Sequence, residues 1–184
     1  MSGTQQALDP RLQELLDKQE IREVVYRFAR GVDRHDWALV RSCYHDGALD
    51  NHGPFSGPVE EYVAWVSEAL PGLADTTMHF IGNVLIDVHG DSAQSEAYVV
   101  GYHRYRRDDG TRWDWLGGAR YVDHFERRDG VWKIAERVLV WEWVRDDPVG
   151  QEWEGFRITG HEEYVWGRHD ERDAIRWVGR AGVP

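Results

Sequence analysis

The chain reads as an α+β domain in which a strongly curved antiparallel sheet packs against N-terminal helices. Two observations predict it. Up to Gly72, apolar residues recur mainly at helical spacing. From Thr76 onward they alternate in four long stretches, cut by Gly90-Asp91, Asp109-Gly110 and Asp129-Gly130. Four strands joined by tight turns form a meander, and strands of such length bend. Helices followed by strands mean α+β, with the helices on the concave face.

Asp9-Pro10 is a helix start, the aspartate as N-cap and the proline in the first turn. Leu12, Leu15, Leu16, Ile21, Val25, Phe28 and Val32 then hold helical spacing to Asp33. Asp36 can cap a second short helix carrying Trp37, Leu39, Val40 and Cys43. Ala48–His52 reads as a short strand ended by Gly53-Pro54. Gly57-Pro58 opens a third helix with Val59, Tyr62, Val63, Val66 and Leu70 on one face, ended by Pro71-Gly72. The four strands are Thr76–His89, Ser92–Arg106, Arg112–Arg127 and Val131–Arg145. Residues 9–145 therefore form the domain, after a flexible segment 1–8. Residues 146–184 form an extension holding Trp153, Phe156, Tyr164, Trp166 and Trp177, with a helix around Glu171–Val178. Such an aromatic tail docks on the domain or on a neighbouring subunit.

With 184 residues there is material for one domain with a real core. Apolar residues at 41% and charged residues at 30% are a globular balance. A net charge of −11 argues against nucleic acid as a partner. Cys43 is the single cysteine, so no intrachain disulfide forms and a reducing compartment is expected. Met1–Glu20 lacks an apolar signal core and no run is long enough to span a membrane, so the expectation is a cytoplasmic protein. Ten tryptophans and eight tyrosines can fill a core or line a cavity for a flat apolar molecule.

Chemistry centres on His79, set in the strand start Thr76–Asn83, and on Asp33 at the end of the first helix. If the fold brings them together, the carboxylate holds one imidazole nitrogen and the other is free for proton transfer. Each has a plainer role, His79 as a hydrogen-bonded core residue and Asp33 as a helix-end residue. Strand alternation puts Thr77, His79, Ile81 and Asn83 on one face, then Ala97, Val99, Gly101 and His103, then Ala119, Tyr121, Asp123 and Phe125. Ala135, Arg137, Leu139, Trp141 and Trp143 form the last row, in which Arg137 either pairs with a buried carboxylate or faces a ligand. Tyr26 shares the helical angle of Asp33. No metal-ligand spacing, dinucleotide fingerprint, P-loop or serine-hydrolase motif occurs, so neither metal nor cofactor is expected.

Three motifs, Val32-Asp33-Arg34-His35-Asp36-Trp37, Met78-His79-Phe80-Ile81-Gly82-Asn83 and Arg128-Asp129-Gly130-Val131-Trp132-Lys133-Ile134, together with the order of elements, resemble the SnoaL-like branch of the nuclear-transport-factor-like superfamily. That branch includes scytalone dehydratase, bile acid 7α-dehydratase, the lindane dehydrochlorinase and polyketide cyclases. The resemblance spans roughly residues 12–143. It implies a cone-shaped α+β barrel with a single deep pocket, in which Asp33 and His79 form an Asp–His dyad and Arg137 is a further catalytic candidate; Tyr26 is one by its helical angle to Asp33. Tyr121, His103, Asn51, Phe28, Trp141 and Phe125 are then candidates for substrate contact. Departures are Val32, Ala119, Tyr121 and Phe28, where named members carry a tyrosine, serine, asparagine and lysine. The resemblance implies a cofactor-independent lyase of dehydratase type acting on a cyclic or polycyclic apolar molecule. Alternatives are an isomerase or polyketide cyclase, or a non-catalytic ligand-binding protein such as a dioxygenase small subunit. It also implies a homo-oligomer, trimer or dimer, associated through the outer sheet face.

Overall fold

A computed structural model describes residues 9–150, 167–170 and 173. The elements run α1 (Pro10–Asp33), α2 (Trp37–Ser42), β1 (Tyr44–Asn51), β2 (Ser56–Pro58), α3 (Val59–Leu73), β3 (Thr76–His89), β4 (Ser92–Arg106), β5 (Arg112–Arg128) and β6 (Val131–Pro148). The fold is α+β, and its single sheet has the order β2-β1-β6-β5-β4-β3. The sheet is open: β2 and β3 are its two edges and do not pair, so the expected barrel is an unclosed, curved sheet.

Local chemistry accounts for the helices. Asp9 caps α1 by accepting the Arg11 N–H at 2.8 Å, with Pro10 in the first turn. Asp36 caps α2 through the Leu39 N–H at 3.0 Å. Helix α3 starts after Pro58 with Glu60 and Glu61 in its first turn, where the helix dipole favours negative charge. It runs past Pro71 to Leu73, because a proline in the last turn leaves the earlier hydrogen bonds intact. Ile21, Val24, Val25 and Phe28 of α1 are buried, whereas Leu12, Leu15 and Leu16 are exposed. A core phenylalanine such as Phe28 is worth about 3–5 kcal/mol against truncation to alanine.

The meander strands match the alternation, and β6 extends to Pro148, three residues beyond the expected domain boundary. Bulges reset its phase in three places. Between Ile81 and Val84 the register of β3 shifts, so Val84, Ile86 and Val88 turn inward and Asn83 leaves the row of His79. In β6 a shift opposite His124/Phe125 makes Trp132 and Ile134 the buried residues before Arg137, leaving Ala135 out. A second shift opposite Gly118/Ala119 separates Trp143 from Trp141. The indoles then cover both faces of Gly117-Gly118. A Cβ on Gly117 would lie 2.3 Å from Trp115, and one on Gly118 would lie 2.1 Å from Trp143.

Strand β1 pairs parallel with β6, with Asp50 opposite Arg137, and antiparallel with β2. Neither pairing is visible in the local pattern. Helix α1 packs on β3 and β6, and α3 packs on β1. The inner face, with Ala97, Val99, Tyr121 and Phe125, shares one core with both helices. Met78, Phe80, Tyr98, Val100 and Val122 stand exposed on the outer face. His169 stacks on His35 at 4.1 Å, and Asp173 pairs with Arg34, so this part of the C-terminal region lies against the end of α1. Trp153, Phe156, Tyr164, Trp166, Trp177 and the segment 1–8 lie outside the described residues.

Candidate active site

Packing of α1 against β3 brings Asp33 and His79 together across 46 positions of sequence. The His79 backbone N–H donates to Asp33 Oδ2 at 2.8 Å, and the ring Nδ1 lies 2.7 Å from Oδ1. A carboxylate only accepts, so Nδ1 carries a proton, and in the neutral ring Nε2 is the nitrogen with the lone pair. Burial pushes the Asp33 carboxyl up, but the His79 hydrogen bonds and charge outweigh it and hold it below the usual carboxylate range. Asp33 is therefore an anchored anion behind the imidazole.

In front of the imidazole opens a cavity of about 390 Å³, within the ~300–1,000 Å³ typical of small-molecule sites. Phe28 and Val32 of α1, Tyr62 and Leu70 of α3, and Tyr121 and Trp141 of the sheet line it. His79 and His103 lie edge to face at 5.3 Å, His103 and Trp115 at 5.1 Å, Trp115 and Trp141 at 5.5 Å. Gly101 lies beneath the two histidines. A Cβ there would be 3.6 Å from both Nε2 atoms, so these nitrogens converge on one spot left open by the glycine. Burial, reinforced by the His79 charge, lowers His103 to about 4, so near neutrality it is an uncharged hydrogen-bonding group.

His103, Phe28, Tyr121 and Trp141 thus take their expected places on the wall. Four other expected site residues do not. Arg137 is fully buried and binds Asp123 through two hydrogen bonds of 2.7 and 2.6 Å. Its guanidinium is sandwiched between the rings of Phe28 and Tyr121, at 4.1 and 4.0 Å, so those rings and not the arginine face the cavity. A guanidinium with no access to water requires such a counterion. Tyr26 is 43% exposed and lines a shallow groove on the other side of Asp33. At ~100° per residue it lies roughly 160° around α1 from Phe28, which explains the placement. Phe125 is core, four residues along β5 from Tyr121 and so about 13 Å away at ~3.3 Å per residue. Asn51 points out of the sheet, its side chain accepting the Gly53 N–H at 3.1 Å.

The phase of β1 is the reason for Asn51, and it turns two other residues inward. Asp50 is 1% exposed, and His52 lines the cavity with its Nδ1 paired to Asp50. Alternation from the small residue Ala48 through Asp50 to His52 is the signal in the sequence that carries this. Among the described residues no group of histidine, cysteine and carboxylate side chains is arranged to hold a metal ion, and no helix is long and apolar enough to cross a membrane.

Solved structures share this fold. A putative scytalone dehydratase from Novosphingobium aromaticivorans is 21% identical, with a TM-score of 0.65 over 74% of this chain and 91% of its own. The hexachlorocyclohexane dehydrochlorinase LinA-type3 of Novosphingobium barchaimii is 20% identical, with a TM-score of 0.67 over 77% and 95%. The Kfla4162 protein of Kribbella flavida is 20% identical, with a TM-score of 0.65 over 72% and 95%. Comparison with curated proteins by sequence finds no match. Residues 13–138 match the SnoaL-like domain, more than half of the chain, and the protein belongs to that family.

Proposed function

We propose that the protein is a cofactor-independent lyase of dehydratase type, removing water or a similar leaving group from a cyclic, largely apolar small molecule. The observation that carries this is the anchored Asp33–His79 pair, whose free imidazole nitrogen opens into an aromatic cavity. His79 takes a proton from a carbon next to an activating group, and Asp33 orients the ring and stabilises its cation. General base catalysis supplies ~10²–10⁴-fold, and positioning in the cavity supplies the rest. The names of the structural relatives, a dehydratase and a dehydrochlorinase, support elimination as the reaction class.

The test is turnover of cyclic β-hydroxy ketones and chlorinated cyclohexanes with product identification. Wild type should eliminate from at least one, and His79→Gln should lose at least ~10²-fold in kcat/KM while melting near wild type. Asp33→Asn should lose less, since the imidazole survives with its tautomer no longer held. A product rearranged without loss of a leaving group would instead make the protein an isomerase or cyclase built on the same pair. His79→Gln with an unchanged rate per folded molecule would refute both.

A further inference from the structure

A second imidazole in the cavity is held as His79 is. His52 Nδ1 pairs with Asp50 Oδ1, and the other Asp50 oxygen accepts the Tyr44 hydroxyl at 2.5 Å. The His52 ring stacks on Tyr62 at 4.7 Å, with Nε2 3.4 Å from the Tyr62 hydroxyl. Strands β6, β5 and β4 separate β1 from β3, so the two Asp–His pairs approach one cavity from different parts of the sheet.

The chemistry of the wall narrows what His52 does. Among the described residues the wall carries no carboxylate, lysine, arginine, serine, threonine or asparagine. Burial pushes the phenols of Tyr62 and Tyr121 up, so they stay neutral. The Tyr105 hydroxyl is engaged by Asp146, and His103 is uncharged near neutrality. His52 is then the wall imidazole, besides His79, with a carboxylate behind it. Charge balance points the same way. Asp50, Arg137 and Asp123 stand side by side in register across β1, β6 and β5, all with fully buried side chains. Arg137 takes Asp123, so the buried Asp50 carboxylate is left to the Tyr44 hydroxyl and the His52 ring. Asp33, by contrast, has the charge of Arg34 nearby.

We infer that Asp50–His52 is a second acid–base pair that serves the oxygen of a hydroxyl or carbonyl group on a ring substrate, while Asp33–His79 works on its carbon. The elimination step rests on the lyase reading above; the oxygen site does not. In that step His79 Nε2 takes the proton, and the C–H electron pair becomes the new C=C bond. The C–O bond breaks with its electrons, and the proton on His52 Nε2 passes to that oxygen, which leaves as water. Solvent then removes the proton from His79 and returns one to His52, so the cycle needs no oxidant, reductant or metal.

The oxygen site is tested with 4-nitrophenol, whose absorbance reports whether it is bound as phenol or phenolate, at a pH where the free molecule is mostly phenol. Wild type should bind it as phenolate against the His52 imidazolium. His52→Gln should bind it only as phenol, and His79→Gln should keep the phenolate form at altered affinity. If His52→Gln does not fold, His52→Phe keeps a ring on Tyr62 and takes its place. A phenolate form that survives loss of His52, or that wild type never shows, overturns the inference.

A second arm compares dehydration of 3-hydroxy-1-tetralone with deuterium exchange at the α-carbon of 1-tetralone, which has no leaving group. His52→Gln should lower elimination by ~100-fold or more and exchange by much less, whereas His79→Gln lowers both alike. Equal losses in His52→Gln would overturn its role as proton donor to the leaving oxygen. A wild type inactive in both reactions that still binds the phenolate sinks the lyase reading and leaves the His52 oxygen site standing.

Discussion

His103 makes stability depend on acid in a way that can be worked out. Its folded value is about 4, against 6.5 for the free side chain, because burial and the neighbouring His79 disfavour its cation. The unfolded chain therefore takes up a proton that the folded chain refuses. The contribution is complete above the unfolded value and is lost as pH falls from 6.5 toward about 4. Integrated over that window, the loss is about 2 kcal/mol at roughly pH 5 and about 3 kcal/mol near pH 4. For a chain of this size, 2 kcal/mol lowers Tm by about 4–8 °C. Urea unfolding followed by tryptophan fluorescence, on wild type and His103→Gln between about pH 8 and pH 4.5, measures it. Other histidines titrate in both proteins, so the difference between the two curves isolates His103. The variant should start less stable and lose about 2 kcal/mol less on acidification to roughly pH 5. Parallel curves, within ~0.5 kcal/mol, would refute the assignment of His103 as a buried neutral ring beside His79.

Arg137→Ala should cost about 3–5 kcal/mol by leaving Asp123 buried and unpaired, and Arg137→Met combined with Asp123→Leu should recover most of it in urea unfolding. A double variant as unstable as the single one would contradict a structural ion pair. Gly101→Ala places a methyl in ordinary contact with both histidines, so Tm should move by only a few degrees. The methyl occupies the spot between the two Nε2 atoms, and kcat/KM should fall by at least ~10-fold. A fully active Gly101→Ala would show that substrate does not sit there. The outer sheet face, with Met78, Phe80, Tyr98, Val100 and Val122 exposed, is expected to associate with further copies of the chain. Sedimentation should show an oligomer that Phe80→Lys dissociates, and a wild-type monomer at micromolar concentration would rule it out.

Helix caps, hairpin turns and alternation are local, so Asp9-Pro10, Asp36, Gly90-Asp91 and Asp129-Gly130 place the helices and the meander within a few residues of where they stand. Asp33 and His79 are legible too, because both sit in motifs that resemble those of the SnoaL-like family and on the inward phase of their own elements. What tertiary structure alone decides begins with the bulges. Each inserts one residue, reverses which side chains face inward, and so removes Asn83 and Trp143 from the rows that alternation assigns them. The parallel pairing of β1 with β6 joins segments over 80 positions apart, and it sets Asp50 beside Arg137. The antiparallel pairing of β6 with β5 sets Asp123 against Arg137 and makes the arginine a buried counterion instead of a ligand-facing group. The β1–β6 pairing buries Asp50, which holds His52, the residue just after β1, as the second imidazole–carboxylate pair of the cavity. Alternation gives Asp50 and His52 a common phase with Ala48, but burial and charge balance are properties of three-dimensional neighbours.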